Sequence, residues 1–161
     1  MRRKITAPPT PDNIVLIAFG GNKGDTRQYI AAAVTRLGML GIVEKVSPLF
    51  TTKPEGFKDQ PDFLNGALIL KTALSPADLL RELKKIEKEL GRKPTFANGP
   101  REIDLDIIFY NDIILDTPDL KIPHPRMHER IFVLLPASHV APDFKHPATG
   151  ETISQMLKKF A

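Results

Sequence analysis

Twice along this chain a short apolar run leads into an amphipathic segment of helical spacing and then into another apolar run. That order limits the fold more than any other feature. Ile14 to Phe19 reads as a buried strand, and Thr26 to Leu40 sets Ile30, Ala33, Val34 and Leu37 on one helical face. Ile42 to Phe50 alternates loosely as a second strand, and Gly66 to Lys71 is a third. Ser75-Pro76-Ala77-Asp78 opens a second helix with a serine cap, a first-turn proline and an acid three residues after the cap. Leu79, Leu80, Leu83, Ile86 and Leu90 form its core face, Glu87 borders that face, and Gly91 ends the helix. A strand through Tyr110 completes the order βαββαβ. The fold class expected is α+β, a ferredoxin-like antiparallel sheet with two helices on one face.

Beyond Tyr110, residues 113–115 can pair as a short extra strand, and 120–125 are extended because residues before proline avoid the helical region. Arg126 to Val140 should contain a helix with Ile131, Leu134 and Leu135 inward, and Thr152 to Phe160 a small terminal one. Residues 1–12 mix basic side chains with prolines and read as a flexible tail, leaving 13–161 as a single domain.

Composition narrows the function classes. With no cysteine there is no disulfide framework and no thiolate metal site. No apolar run approaches the ~20 residues that span a bilayer, and no signal-peptide core is visible, so the expectation is a cytoplasmic protein without a membrane partner. The net charge is +4, but Arg2, Arg3 and Lys4 carry three of those charges. The body is close to neutral, which argues against nucleic acid as a partner.

The stretch Gly99-Pro100-Arg101-Glu102-Ile103-Asp104-Leu105-Asp106-Ile107-Ile108-Phe109-Tyr110 carries the chemistry. Strand side chains alternate, so Ile103, Leu105, Ile107 and Phe109 share one face, and Asp104, Asp106, Ile108 and Tyr110 the other. Two carboxylates standing side by side at the entrance of an otherwise apolar strand need a cation, a proton or an arginine. An Asp-x-Asp alone is by default a solvated strand edge. Here Arg101 precedes the pair, and Arg92, Lys93, Arg126, His128 and Arg130 lie in flanking loops. Carboxylates for a hard divalent cation, with arginines for phosphate oxygens, are what Mg²⁺-dependent phosphoryl transfer requires. The alternative, a structural ion pair between Arg101 and one aspartate, leaves the other carboxylate unpaired.

Other motifs fare less well. Gly20-Gly21-Asn22-Lys23-Gly24-Asp25 fits neither a phosphate loop nor a dinucleotide fingerprint and reads as a turn capped by Asp25. His124 and His128 have zinc spacing only on a helix, and the prolines flanking His124 make it extended. Phe63 and Phe132 are core residues by default, yet both adjoin polar loops, where two facing rings would make a slot for a flat heterocycle.

Five motifs in order carry a resemblance: Gly20-x-Asn22, Asp59-Gln60-Pro61-Asp62-Phe63-Leu64-Asn65, Ile86-Glu87 with Gly91-Arg92, Gly99-Pro100-Arg101-x-x-Asp104-Leu105-Asp106-Ile107, and Ile122-Pro123-His124-Pro125. Together they resemble 6-hydroxymethyl-7,8-dihydropterin pyrophosphokinases of the folate pathway, from about Ile14 to about Asp143. The resemblance implies transfer of pyrophosphate from ATP to the pterin hydroxymethyl oxygen, with release of AMP. It implies that Asp104 and Asp106 bind two Mg²⁺ ions, and that Arg92 and Arg101 steady the triphosphate and the charge that develops on transfer. His124 and Arg130 match ATP-contacting positions, and Glu87 an acid near the nucleotide. Phe63 and Phe132 match the pair that sandwiches the pterin, Asn65 the amide at its edge, and Thr52 a contacting loop residue. The partners implied are ATP and a reduced pterin, with a monomer expected. Two segments depart from the pattern. Residues 93–98 are slightly short, with Ala97 where a basic residue is usual, and Lys53 and Glu55 stand at positions often apolar. The reading of a different class is a non-catalytic ferredoxin-like module that binds single-stranded RNA through its sheet.

Overall fold

The computed structural model describes residues 10–161, so most of the expected 1–12 tail lies outside the described residues. The sheet combines β1 (Asn13–Gly21), β2 (Ile42–Val46), β3 (Phe50–Thr52), β4 (Phe63–Thr72) and β5 (Asp104–Tyr110). It is antiparallel in the order β2-β4-β1-β5, with β3 also paired to β4. The single strand expected over Ile42 to Phe50 is therefore two. Pro48 offers no N–H for a ladder, and the Ser47 hydroxyl instead accepts from Ala67 N at 2.9 Å across the break.

Helix α1 (Thr26–Leu37) ends three residues before the expected Leu40, and α2 is Pro76–Glu89. Both starts are as read. Asp25 accepts from Gln28 N at 3.3 Å, and Ser75 from Asp78 N at 3.2 Å. These helices cover one sheet face, packing Ile30, Ala33, Leu37, Leu79, Leu83 and Ile86 against Val15, Ile17, Leu68 and Leu70. The opposite face, which the two-helix expectation left open, is covered by α3 (Ile131–Val140) and α4 (Ile153–Lys158). Leu134, Ala137, Ile153 and Met156 meet Leu16, Ala67 and Ile69 there. In α3 the buried residues are Val133, Leu134, Pro136, Ala137 and Val140, whereas of those expected inward Ile131 is 45% exposed and Leu135 only half-buried. A 3₁₀ turn at Met127–Glu129 precedes α3, so the helix expected within Arg126 to Val140 begins only at Ile131. The extra strand is short: β6 (Leu115–Asp116) pairs with β7 (Lys121–Ile122) outside the main sheet.

The pattern along β5 also differs from strict alternation. The register slips between Leu16 and Ile17, which pair with Phe109 and Ile107, so Ile108 is an extra residue. A bulge of this kind reverses the side-chain phase beyond it. Phe109 consequently joins Ile108 on the α3 face and Tyr110 joins the α1/α2 core, opposite to what alternation predicts. Asp104 and Asp106 lie before the bulge and keep their shared face.

Candidate active site

The register builds the floor of the site. Gly20 pairs with Asn65 on one side and Asp104 on the other, and Ala18 pairs with Ala67 and Asp106. Residues opposite one another in antiparallel strands share a face, so these rows lie on the face that carries α3, with small side chains in the middle. A Cβ at Gly20 would collide with Asn65 Oδ1 and come within 2.8 Å of Leu64 O. Glycine is what allows Asn65 and Asp104 to stand over a shallow floor.

Above it opens a solvent-accessible cleft. It brings together Thr52, Phe63, Asn65, Arg101, Asp104, Asp106, His124, Arg130 and Phe132. Strands β3 and β4 supply the first three, which places Phe63 and Asn65 within a strand rather than on the approach to it. Asn65 Nδ2 donates to Thr52 Oγ1 at 2.6 Å, fixing the amide plane. An arginine lies over each ring: Arg101 Cζ is 5.7 Å from the Phe63 centroid, and Arg130 Cζ is 5.5 Å from that of Phe132.

The two aspartates are treated unequally. Asp104 receives Arg92 Nη1 on Oδ1 and Arg101 Nη1 on Oδ2, each at 2.9 Å. The alternative of a structural ion pair thus holds for Asp104, with two arginines rather than one. Among the described residues no basic group pairs with Asp106. Burial, with the Asp104 carboxylate beside it, pushes its carboxyl up to about 8. Burial holds the His124 imidazole below its usual range, with Arg130 adding to the effect, so the ring is neutral near pH 7.

Glu87 is not at the border of its helical face but buried. Its Oε2 accepts from Arg92 Nη1 at 2.7 Å and from Leu105 N at 2.8 Å, the amide between the two aspartates. Burial raises this carboxyl, and those bonds oppose the rise. Glu87 and Arg92 do not line the first cleft. They line a second, more open one with Lys84, Lys88 and Lys93, which meets the first at Asn98 and Arg101.

Two contributors escaped the sequence reading. Asn22, quoted in a motif but given no role, accepts from Arg101 N at 3.0 Å and donates to Gln60 Oε1 and Pro61 O at 2.9 and 2.8 Å. It ties the β1 turn to both loops that wall the cleft. The second is the basic pair Lys84 and Lys88, four residues apart on α2 and so on one helical face, which reads as a solvated face until the cleft is seen. An amide side chain straight after the Gly-Gly that ends β1, at the point where the chain turns toward α1, is the signal that could have found Asn22.

A sequence model of the 7,8-dihydro-6-hydroxymethylpterin-pyrophosphokinase family matches residues 16–142. The chain is 46% identical to the folic acid synthesis protein FOL1 of Dictyostelium discoideum, over 90% of this chain and 22% of that protein. It is 43% identical to the 2-amino-4-hydroxy-6-hydroxymethyldihydropteridine pyrophosphokinase of Aquifex aeolicus, over 83% of each. The enzyme of that name from Bacillus subtilis is 42% identical, over 89% of this chain and 87% of that one. The chain therefore spans about a fifth of the FOL1 protein (22%) and most of the bacterial relatives. In fold it is similar to a Plasmodium falciparum HPPK-DHPS crystal structure, with a TM-score of 0.74 at 18% identity, covering 92% of this chain and 43% of that one. Matched over most of its length by the family model and by relatives of similar size, the chain belongs to the 7,8-dihydro-6-hydroxymethylpterin-pyrophosphokinase family.

Proposed function

We propose that the chain transfers pyrophosphate from ATP to the hydroxymethyl group of 6-hydroxymethyl-7,8-dihydropterin, releasing AMP, as a step of folate biosynthesis. The observation that carries this reading is the Asp104–Asp106 pair on the floor of a cleft whose walls bear two aromatic rings and an oriented amide. The rival RNA-binding module would need an open sheet as its platform, whereas helices pack on both faces.

The chain's own groups divide the work. Phe63 and Phe132 flank the flat pterin, and Asn65, held by Thr52, offers its remaining polar atom to the ring edge. The basic second cleft suits the nucleotide, with Arg92 and Arg101 between it and the aspartates. His124 and Arg130 line the first cleft beside the aspartates and are the groups there to receive phosphate oxygens. The donor set fits Mg²⁺: two carboxylates, one of them without a cationic partner, suit a hard ion that takes few protein ligands and fills its shell with water and phosphate oxygens. Asp104 and Asp106 would hold two such ions, whose chemistry when bound is to neutralise the triphosphate and orient the attacking oxygen. Holding a metal would require Asp104 to give up Arg92 and Arg101, which would leave both guanidinium groups free for the phosphates. The hydroxymethyl oxygen bonds to the β-phosphorus while the bond between that phosphorus and the oxygen bridging it to the α-phosphate breaks; AMP leaves with the bridging oxygen, and the hydroxyl proton passes to solvent.

A coupled assay for AMP tests this. Release should need Mg²⁺, ATP and the pterin alcohol together, and AMP no higher than in an ATP-only control would overturn the reading. Asp104→Ala and Asp106→Ala should each cost roughly 100-fold or more in turnover while the protein still folds. A near-normal rate in either at saturating Mg²⁺ would remove that residue from the metal site.

A further inference from the structure

The loop between β3 and β4 sets a carboxylate, Glu55, on the lining of the cleft. Glu55 Oε1 lies 2.7 Å from Arg126 Nη2, and Oε2 lies 3.3 Å from Arg130 Nε. The second contact is close but badly angled. Arg130 Nε is buried and has no hydrogen-bond partner among the described residues. An arginine so enclosed, with a donor left unmet, is matched to an acceptor that Glu55 only partly replaces.

Arg130 and Glu55 both border the cleft that holds Asp104, Asp106 and His124. A carboxylate shared by two guanidinium groups offers the same oxygen chemistry as a phosphate would at that place. Arg126 has another partner within reach, Glu129 Oε2 at 3.6 Å, so it need not stay unpaired if Glu55 departs. The loop is also coupled to the segment before β5. Phe57 meets Phe96 edge to face at 5.0 Å, and Gln60 Nε2 donates to Asn98 O at 2.7 Å.

We infer that Glu55 is a built-in competitor for the nucleotide. Its carboxylate holds Arg126 and Arg130 until a triphosphate displaces it, and its release loosens the loop that borders the pterin slot. Nucleotide affinity and the position of the pterin loop are thereby linked through one side chain. This rests on the reading that Arg130 faces the ATP phosphates.

The test is calorimetric titration of a non-hydrolysable ATP analogue with Mg²⁺ into wild type, Glu55→Gln and Asp59→Asn, with the rate of trypsin cleavage after the exposed Lys58 followed alongside. Asp59 is a carboxylate of the same loop with no place in this cluster. Glu55→Gln should bind about fivefold tighter, the scale of a half-exposed ion pair, and Asp59→Asn should bind as wild type does. The analogue should speed cleavage after Lys58 in wild type, while in Glu55→Gln cleavage is fast from the start. Equal affinity of wild type and Glu55→Gln, an equal gain in Asp59→Asn, or unchanged cleavage on binding would overturn the inference and leave the nucleotide site standing. Failure of every variant to bind the analogue would overturn the site reading and this inference with it.

Discussion

At the scale of single residues, the site is governed by what each carboxylate has for company. Asp104 has two arginines, and Asp106 has burial and a neighbouring negative charge. In the metal-free protein the Asp106 carboxyl binds its proton well above the unfolded carboxylate range near 3.8. Between those limits the folded state holds more protons than the unfolded one, so stability falls as pH rises from about 4 toward about 8. Asp106→Asn should flatten that fall and melt higher than wild type at pH 9 but not at pH 5. Thermal scans of the two metal-free proteins at both pH values would check it, and parallel curves would refute it. The chemistry of this pair is visible in a sequence because Asp-x-Asp on a strand dictates a shared face. The partnership with Arg92 is not, since nothing local says that a residue in the loop after α2 will turn back onto β5.

At the scale of elements, α2 and β5 are joined by a buried acid. Glu87 closes the outer edge of β5 by accepting Leu105 N–H, and it holds Arg92 at the same oxygen. Glu87→Ala should leave a buried amide without an acceptor and cost about 1–3 kcal/mol of stability. It should also raise KM for ATP more than it lowers turnover, because Arg92 loses one of its two anchors. An unchanged melting temperature with unchanged KM would show that the contact is incidental. Helical spacing put Glu87 beside a core stripe and no further. Only the approach of a strand edge makes that border position an interior one. The bulge at Ile108 has the same origin: alternation is a property of one strand, whereas the slip belongs to the pairing of β5 with β1.

For the molecule as a whole, the second core is what turns a sheet into a cleft. Helices α3 and α4 cover the lower part of one face, and the uncovered upper end, over Gly20 and Ala18, becomes the site. Met156 sits in that core, 2% exposed and away from the cleft. Met156→Ala should destabilise the protein by about 2–4 kcal/mol, while KM for both substrates stays within about twofold at temperatures where it remains folded. Chemical denaturation and steady-state kinetics on the same preparation would decide, and a large KM change would mean that the second core shapes the site directly.

The alternation of strands and helices, apart from the break that makes β2 and β3 two strands, and the starts of α1 and α2 were legible in the sequence alone, because periodicity, capping and turn chemistry act over a few neighbouring residues. Of the candidate side chains the Asp104–Asp106 pair came from spacing, and most of the others came from the family resemblance. The tertiary structure decided the rest: which strands lie side by side, where the register slips, and why Gly20 stands between Asn65 and Asp104. It also decided that Glu55 reaches Arg126 and Arg130, and that Arg92 reaches Asp104. Those outcomes depend on backbone pairing and charge contacts between distant segments, and each is settled only when the whole sheet and both of its cores have formed.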